Sequence, residues 1–119
     1  TVTGDDYEVV VRDVTAPATP PNPTASTPTG YAFLSVDIDL TNVGASPRDA
    51  TYLRFEVHDA AGTVYRLSRW GEAAPTGWIP PDDTLRISQL FEVPQLATGL
   101  VLTLRPDVLS EPAVAVRLT

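Results

Sequence analysis

Residues Tyr31–Thr41 read YAFLSVDIDLT, and this run constrains the fold more than any other. Ala32, Leu34, Val36, Ile38 and Leu40 share one parity, while Ser35, Asp37, Asp39 and Thr41 share the other. A period of two places apolar side chains on one face of an extended strand and polar ones on the opposite face. A strand of this kind cannot hide its oily face alone, so a second layer must cover it.

The same rhythm recurs along the chain. Tyr7–Thr15 (YEVVVRDVT) is a first strand. Tyr52–Asp59 (YLRFEVHD) points Leu53, Phe55 and Val57 inward. Asp59–Gly62 (DAAG) separates it from Thr63–Trp70 (TVYRLSRW) and predicts a hairpin with Gly62 at positive φ. Thr84–Val93 (TLRISQLFEV) holds Leu85, Ile87, Phe91 and Val93 in phase. Leu90 falls out of phase, which predicts a bulge near Gln89–Leu90. Leu100–Leu104 and Ala113–Leu118 complete the series. No helical period of useful length occurs, and Glu72–Gly77 has room for one loose turn. Prolines 80, 81, 94, 106 and 112 sit at strand ends, where a missing N–H does least harm.

About seven short strands with frequent turns predict an all-β chain, an immunoglobulin-like antiparallel sandwich. At 119 residues it is one domain, 1–119. Segment 15–30 (TAPATPPNPTASTPTG) departs from strand logic. Such a Pro/Thr/Ala tract is expected to be extended or irregular. It reads either as a long surface loop or as a tether that lets residues 7–15 join another subunit's sheet edge. Its Thr and Ser residues suit O-glycans, whereas Asn22–Pro23–Thr24 is barred from N-glycosylation by its proline.

Composition narrows the function. The net charge of −7 disfavours nucleic acid. No apolar run approaches the roughly 20 residues that span a bilayer, so direct membrane insertion is not expected. The sequence holds no Met, so a segment N-terminal to Thr1 is expected, most simply a signal, and with it an extracellular or cell-surface location. Cys is absent, which removes disulfides, thiol nucleophiles and thiolate ligands. All eight cations are Arg, which removes Schiff-base chemistry.

Three stretches carry a resemblance. They are Phe33–Asn42 (FLSVDIDLTN), Phe55–Tyr65 (FEVHDAAGTVY) and Trp78–Pro94 (WIPPDDTLRISQLFEVP). The order is a strand ending in TN, an F-x-(V/L)-x-D-x-x-G-x-x-Y hairpin, and a P-x-(D/E)-x-(L/V) segment running to F-E-V-P. This resembles the DUF4352-type, MPT63-like immunoglobulin-like domains of bacterial secreted and cell-surface proteins, from about Tyr7 to Leu118. The resemblance implies the sandwich fold, a family in which an N-terminal signal or anchor is usual, and no enzymatic activity. This sequence departs from the family at Pro81, where Gly is usual, and in holding no anchor.

Candidate chemistry is sparse. His58 is the only histidine, on the polar parity of its strand, and reads as an exposed strand-end residue. One His without Cys does not build a zinc site. Asp37 and Asp39 lie about 7 Å apart on one strand face, where Arg54 or Arg86 is positioned to neutralise them; glycoside hydrolysis by the paired carboxylates and calcium are the competing readings, and calcium is also the competing reading for Asp82 and Asp83. No catalytic, cofactor or metal residues are assigned.

The candidate interaction surface is Tyr7, Val9 and Val11 on the first strand, Tyr31 and Phe33 on the outward parity of the second, and Trp70 and Trp78 flanking a Gly/Pro loop. Against this, loop 71–80 is placed to fold back over those aromatics. The expected function is a non-catalytic extracellular module that contacts a protein or a glycan. The alternative is a self-assembling filament or layer subunit joined by strand exchange of residues 7–15. A hydrolase is the remote alternative and lacks a supporting constellation.

Overall fold

The computed structural model describes residues 2–4, 7–68, 70–71, 77–105 and 114–118. The described elements are β1 (Val2–Gly4), β2 (Tyr7–Thr15), β3 (Tyr31–Asn42), β4 (Arg48–Asp49), a 3₁₀ turn (Ala50–Tyr52), β5 (Arg54–His58), β6 (Val64–Tyr65), β7 (Trp78–Ile79), β8 (Thr84–Pro94), β9 (Val101–Arg105) and β10 (Val114–Arg117). They form two antiparallel four-stranded sheets, ordered β1-β2-β3-β8 and β10-β9-β5-β6, with β4 and β7 paired separately. This is the immunoglobulin-like sandwich that the alternation predicts.

The alternating face of β3 makes the core. Leu34, Val36, Ile38 and Leu40 are each 0% exposed. They pack with Tyr7, Val9, Phe91 and Val93 of their own sheet and with Phe55, Val57, Leu102 and Leu104 of the facing sheet. Full burial of each such aliphatic side chain contributes about 1.5–3 kcal/mol. The opposite parity of β3 faces out, as expected.

Three expectations change. First, β3 and β8 pair without interruption from Tyr31↔Pro94 to Thr41↔Thr84, so no bulge lies at Gln89–Leu90. Instead Gln89 takes an inward position opposite Val36, and Leu90 takes an outward one opposite Ser35. Second, the bulge lies on β2, where Val11 pairs with Ile38 but Asp13 pairs with Asp37, leaving Arg12 as the extra residue. The shift restores Val14 to the core side, opposite Val36. Third, the run predicted from Thr63 to Trp70 is a short strand, β6, followed by a single bridge from Leu67 to Phe91. The chain crosses there from the edge of one sheet to the edge of the other, so it cannot stay in register with β5. The turn expected at Glu72–Gly77 lies outside the described residues, apart from Gly77.

Residues 7–15 pair with β3 of the same chain from Tyr7↔Asn42 to Thr15↔Ser35. The tract that follows is more ordered than its composition implies. Ala18 N–H donates to Phe33 O at 2.8 Å, and Asn22 Oδ1 accepts from both the Thr24 amide (3.0 Å) and the Thr24 hydroxyl (2.7 Å). Ala25 is buried and joins Phe33 and Leu90 in a second apolar cluster, with Ala18 and Trp70 packed against it.

Candidate functional site

That second cluster lies on the outer face of the β1-β2-β3-β8 sheet. Phe33 and Leu90 are apolar side chains on a mostly polar face, and the 15–30 tract folds down to cover them. Beside the covered patch the tract and the Trp70–Gly71 segment leave a groove of about 490 Å³. Its floor is a row of register partners across three strands, Thr15↔Ser35↔Leu90, with Ser88 adjoining. Ala18, Thr19 and Pro21 form one wall, and Trp70 and Gly71 the other.

Local chemistry fixes both walls. On one side the Ala18–Phe33 backbone bond ties the tract to β3. On the other, Ser68 N–H donates to Leu90 O at 2.7 Å, and Trp70 N–H donates to Ser68 Oγ at 3.2 Å. Gly71 allows the closest approach, since a Cβ there would stand 2.6 Å from Leu90 Cβ. None of the described residues lining the groove is charged. Just outside it, Ser88 Oγ donates to Asp37 Oδ1 at 2.6 Å. Asp39 is held by Arg12 at 2.8 Å and by Arg86 at 3.4 Å. The partners of this acidic pair are therefore Ser88, Arg12 and Arg86. Arg54 is not among them, because it lies on the opposite sheet and donates to Thr51 O and Leu53 O.

The residues singled out in the sequence are dispersed. Tyr7 and Val9 are core residues at 4% and 1% exposure, and Val11 packs half-buried against the same core. Their inward parity on a central strand places them between the sheets rather than on a surface. Burial, and to a lesser degree the Asp49 carboxylate, hold the Tyr7 hydroxyl above its ordinary pKa. Phe33 is also buried, at 4%, although its parity is outward. Among the described residues the covering element is the 15–30 tract together with Trp70; residues 72–76 of the loop expected to fold over the aromatics lie outside the described residues. Tyr31 is half-buried at the start of β3. Trp78 is 69% exposed on β7, beside Asp49 of β4 and near the Asn42 end of β3. Phe33 and Trp70 thus come together, while Trp78 stands apart from them. The sequence reading missed Thr15, Ser35, Ser88 and Gly71. The available signal was the pair of apolar residues, Phe33 and Leu90, on the wet faces of two adjacent strands, which requires a cover.

The polar candidates have ordinary partners. His58 is half-buried rather than exposed, and its Nε2 lies 3.1 Å from Thr103 Oγ1 and 4.0 Å from Glu56 Oε1. Both neighbours meet the same ring nitrogen. A relay needs the nucleophile and the carboxylate on opposite nitrogens, so this is not a triad arrangement. Asp82 and Asp83 close a turn in which Asp83 N–H donates to Pro80 O at 3.1 Å. Among the described residues no three carboxylate, imidazole or thiol groups converge as a metal site. No helix among them is long and apolar enough to cross a membrane.

Comparison with known proteins adds a family and a set of folds. The model of a family described as "Domain of unknown function (DUF4352)" matches residues 1–114. No curated protein sequence matches the chain. A conserved hypothetical protein of Bacillus anthracis superposes with a TM-score of 0.63 at 12% identity, over 96% of this chain and 96% of that one. A candidate lipoprotein of Bacillus subtilis, YcdA, gives 0.71 at 20% identity, over 99% of this chain but only 38% of that one. An uncharacterized β-sandwich protein of Clostridium difficile gives 0.51 at 13% identity, over 98% and 88%. At these identities the likeness establishes the shared fold.

Proposed function

Since the chain belongs to the DUF4352 family, we propose that it is a non-catalytic extracellular or cell-surface module that holds a protein or glycan partner. The observation that carries this reading is the groove between the Pro/Thr tract and Trp70–Gly71. It is large enough for a specific contact, since small-molecule sites run about 300–1,000 Å³. Its walls are fixed by backbone hydrogen bonds and apolar packing, so little ordering is needed on binding. It sits on the face of a rigid sheet, a setting that supports recognition. The described lining offers hydroxyls, an amide, an indole and aliphatic groups; its one hydroxyl set on a carboxylate, Ser88 on Asp37, has no imidazole beside it, since His58 lies on the opposite sheet, which supports binding rather than turnover. The lipoprotein description of the Bacillus subtilis neighbour supports a surface location.

Co-sedimentation with envelopes of the producing cells tests the reading. The purified chain is expected to sediment with the envelopes, and Ser35→Trp, which fills the groove floor, is expected to remain in solution. Equal binding by both proteins, or binding by neither, overturns it. Light scattering gives the competing outcome. The module reading expects a monomer near 12.8 kDa, whereas large polymers transfer the function to strand exchange through residues 7–15.

A further inference from the structure

We infer that the groove takes a short stretch of an uncharged glycan. The inference rests on the module reading and names the ligand class for the same site. Three observations carry it.

The first is charge. The chain carries −7 overall, yet no described residue lining the groove is ionised. An anionic ligand meets a repulsive field with no local cation to offset it, and a cationic ligand meets no carboxylate in the groove itself. A neutral ligand meets neither cost.

The second is the pairing of one aromatic with several hydroxyls. Trp70 offers a large amphipathic surface against which the C–H face of a sugar ring can lie. Thr15, Thr19 and Ser35 offer hydroxyls that both donate and accept, and Ser88 one that accepts, the complement of a polyhydroxylated ligand. Ser88 is already oriented, because its proton is committed to Asp37 Oδ1 at 2.6 Å. Its oxygen is left to accept from a ligand hydroxyl, and the charged partner strengthens that arrangement.

The third is the nature of the floor. An extended peptide is recognised chiefly through backbone groups on a sheet edge. The floor here runs across the faces of three strands, where Thr15, Ser35 and Leu90 are register partners, and at the edge strand β8 the Leu90 carbonyl is already taken by Ser68 N–H. Side chains, not a ladder, meet the ligand.

The test is the indole N–H resonance of Trp70 in ¹⁵N-labelled full chain, titrated separately with maltose, cellobiose and chitobiose. Trigalacturonate and a proline-rich peptide serve as the anionic and peptide probes. At least one neutral disaccharide is expected to shift Trp70 while leaving Trp78 in place. Ser88→Ala is expected to weaken that binding about tenfold, the usual scale for a lost charge-assisted hydrogen bond. Ser88→Ala removes a half-buried hydroxyl, so its folding is checked by an unchanged Trp78 resonance. Thr19→Ala, on the exposed tract, is a second variant expected to weaken binding without affecting the fold. The inference is overturned if no neutral disaccharide moves Trp70 at about 20 mM, a concentration well above typical weak binding. It is also overturned if trigalacturonate or the peptide moves Trp70 more than the sugars do. If the sugars fail while Ser35→Trp still abolishes envelope binding, the glycan assignment falls and the module reading stands. If Ser35→Trp leaves envelope binding intact, the module reading itself falls.

Discussion

The Tyr65 hydroxyl donates to Asp59 Oδ2 at 2.9 Å, closing the β5–β6 hairpin from its core-facing side. The other carboxylate oxygen accepts from the Ala61 and Thr63 amides, each at 2.9 Å, and Gly62 holds φ +85° between them. Each fixed residue of the F-x-(V/L)-x-D-x-x-G-x-x-Y pattern thus has a physical task. Phe55 and Val57 face the core, Asp59 binds the turn, Gly62 adopts the left-handed conformation, and Tyr65 locks the carboxylate.

This pair predicts a pH window. The amide of Thr63, and next the Tyr65 hydroxyl, hold Asp59 below the usual carboxylate range, while the bond to Asp59 raises Tyr65 above its ordinary value. A depressed carboxylate stabilises the fold above its unfolded pKa of about 4, and that part is lost as pH falls through the folded value. A raised tyrosine stabilises below its unfolded pKa of about 10, and that part is lost as pH rises through the folded value. Hydrogen exchange at the Ala61 and Thr63 amides should therefore be slowest, relative to intrinsic rates, between about pH 4 and pH 10. In Asp59→Asn the acid-side loss should disappear, and in Tyr65→Phe the alkaline-side loss should shrink. An acid limb unchanged by Asp59→Asn contradicts the assignment.

Asn42 predicts a large stability effect. It is 0% exposed, and its Nδ2 donates to Ser46 O at 2.9 Å and Ile79 O at 2.8 Å, while Oδ1 accepts from Gly44 N–H at 2.9 Å. One side chain thereby ties the end of β3 to the following loop and to β7. Asn42→Ala takes a hydrogen-bond partner from three backbone groups and should cost about 3 kcal/mol. Asn42→Asp should cost more at neutral pH, because it sets a carboxylate against two carbonyl oxygens, and should recover partly as the solution is acidified. Urea unfolding at neutral and acid pH measures both. A loss under about 1 kcal/mol for Asn42→Ala would show that the loop carbonyls find other donors.

The sheets were legible because period two is a direct consequence of strand geometry. Leu34 to Leu40 could only be buried together, and Gly62 could only mark a turn. The groove was not legible for three reasons. Parity places Phe33 outside but says nothing of what lies above it, and only the folded tract supplies that cover. The Pro/Thr composition of 15–30 rules out a core of its own, yet two alanines suffice to dock it on Phe33 and Leu90. Finally, Leu90 signalled a bulge because an apolar residue falls out of phase there, whereas the strand runs on unbroken with Leu90 outward beneath the tract. The true exception is Gln89, a polar side chain held inside.

Asp82 has φ +66°, the only non-glycine described at positive φ. It follows Pro81 in the turn closed by Asp83 N–H on Pro80 O, with Pro at the second position and the left-handed residue at the third. Glycine adopts that conformation without the Cβ contact that opposes it in other residues. Asp82→Gly should stabilise the chain by about 0.5–1 kcal/mol, seen as a higher urea midpoint with an unchanged slope. Asp82→Ala, which keeps the Cβ and loses the local polar tolerance of Asp, should do the reverse. Equal midpoints for the Gly and Ala variants exclude strain at this turn.

Gly71 is required for close approach rather than for conformation. Its missing Cβ is the space that lets the Trp70–Gly71 wall rest against Leu90. Backbone and a strand side chain meet there, so little can yield. Gly71→Ala should cost about 1–3 kcal/mol through overpacking and should displace the wall from the sheet. The Trp70 indole resonance should move while that of Trp78 stays, which separates a local displacement from general unfolding. An unmoved Trp70 with full stability means that the loop passes Leu90 less tightly.

Gln89 makes the opposite prediction, a gain in stability. It is 1% exposed on the core side of β8, opposite Val36. Its Nε2 donates to Ser88 O at 3.1 Å, but among the described residues its buried Oε1 has no hydrogen-bond partner. Burying an acceptor unpaired costs about 1–3 kcal/mol, more than the net worth of the bond made by the other end of the amide, about 1 kcal/mol. Leucine is close in size and lacks polar atoms, so Gln89→Leu should raise stability by about 0.5–1.5 kcal/mol. Gln89→Glu should lower it sharply at neutral pH, since the charge would have no partner, and recover as the solution is acidified. Chemical denaturation of the two variants reads both signs. A Leu variant less stable than the wild type would show that the amide's donor end, tied to Ser88 O on the strand edge, outweighs its stranded oxygen.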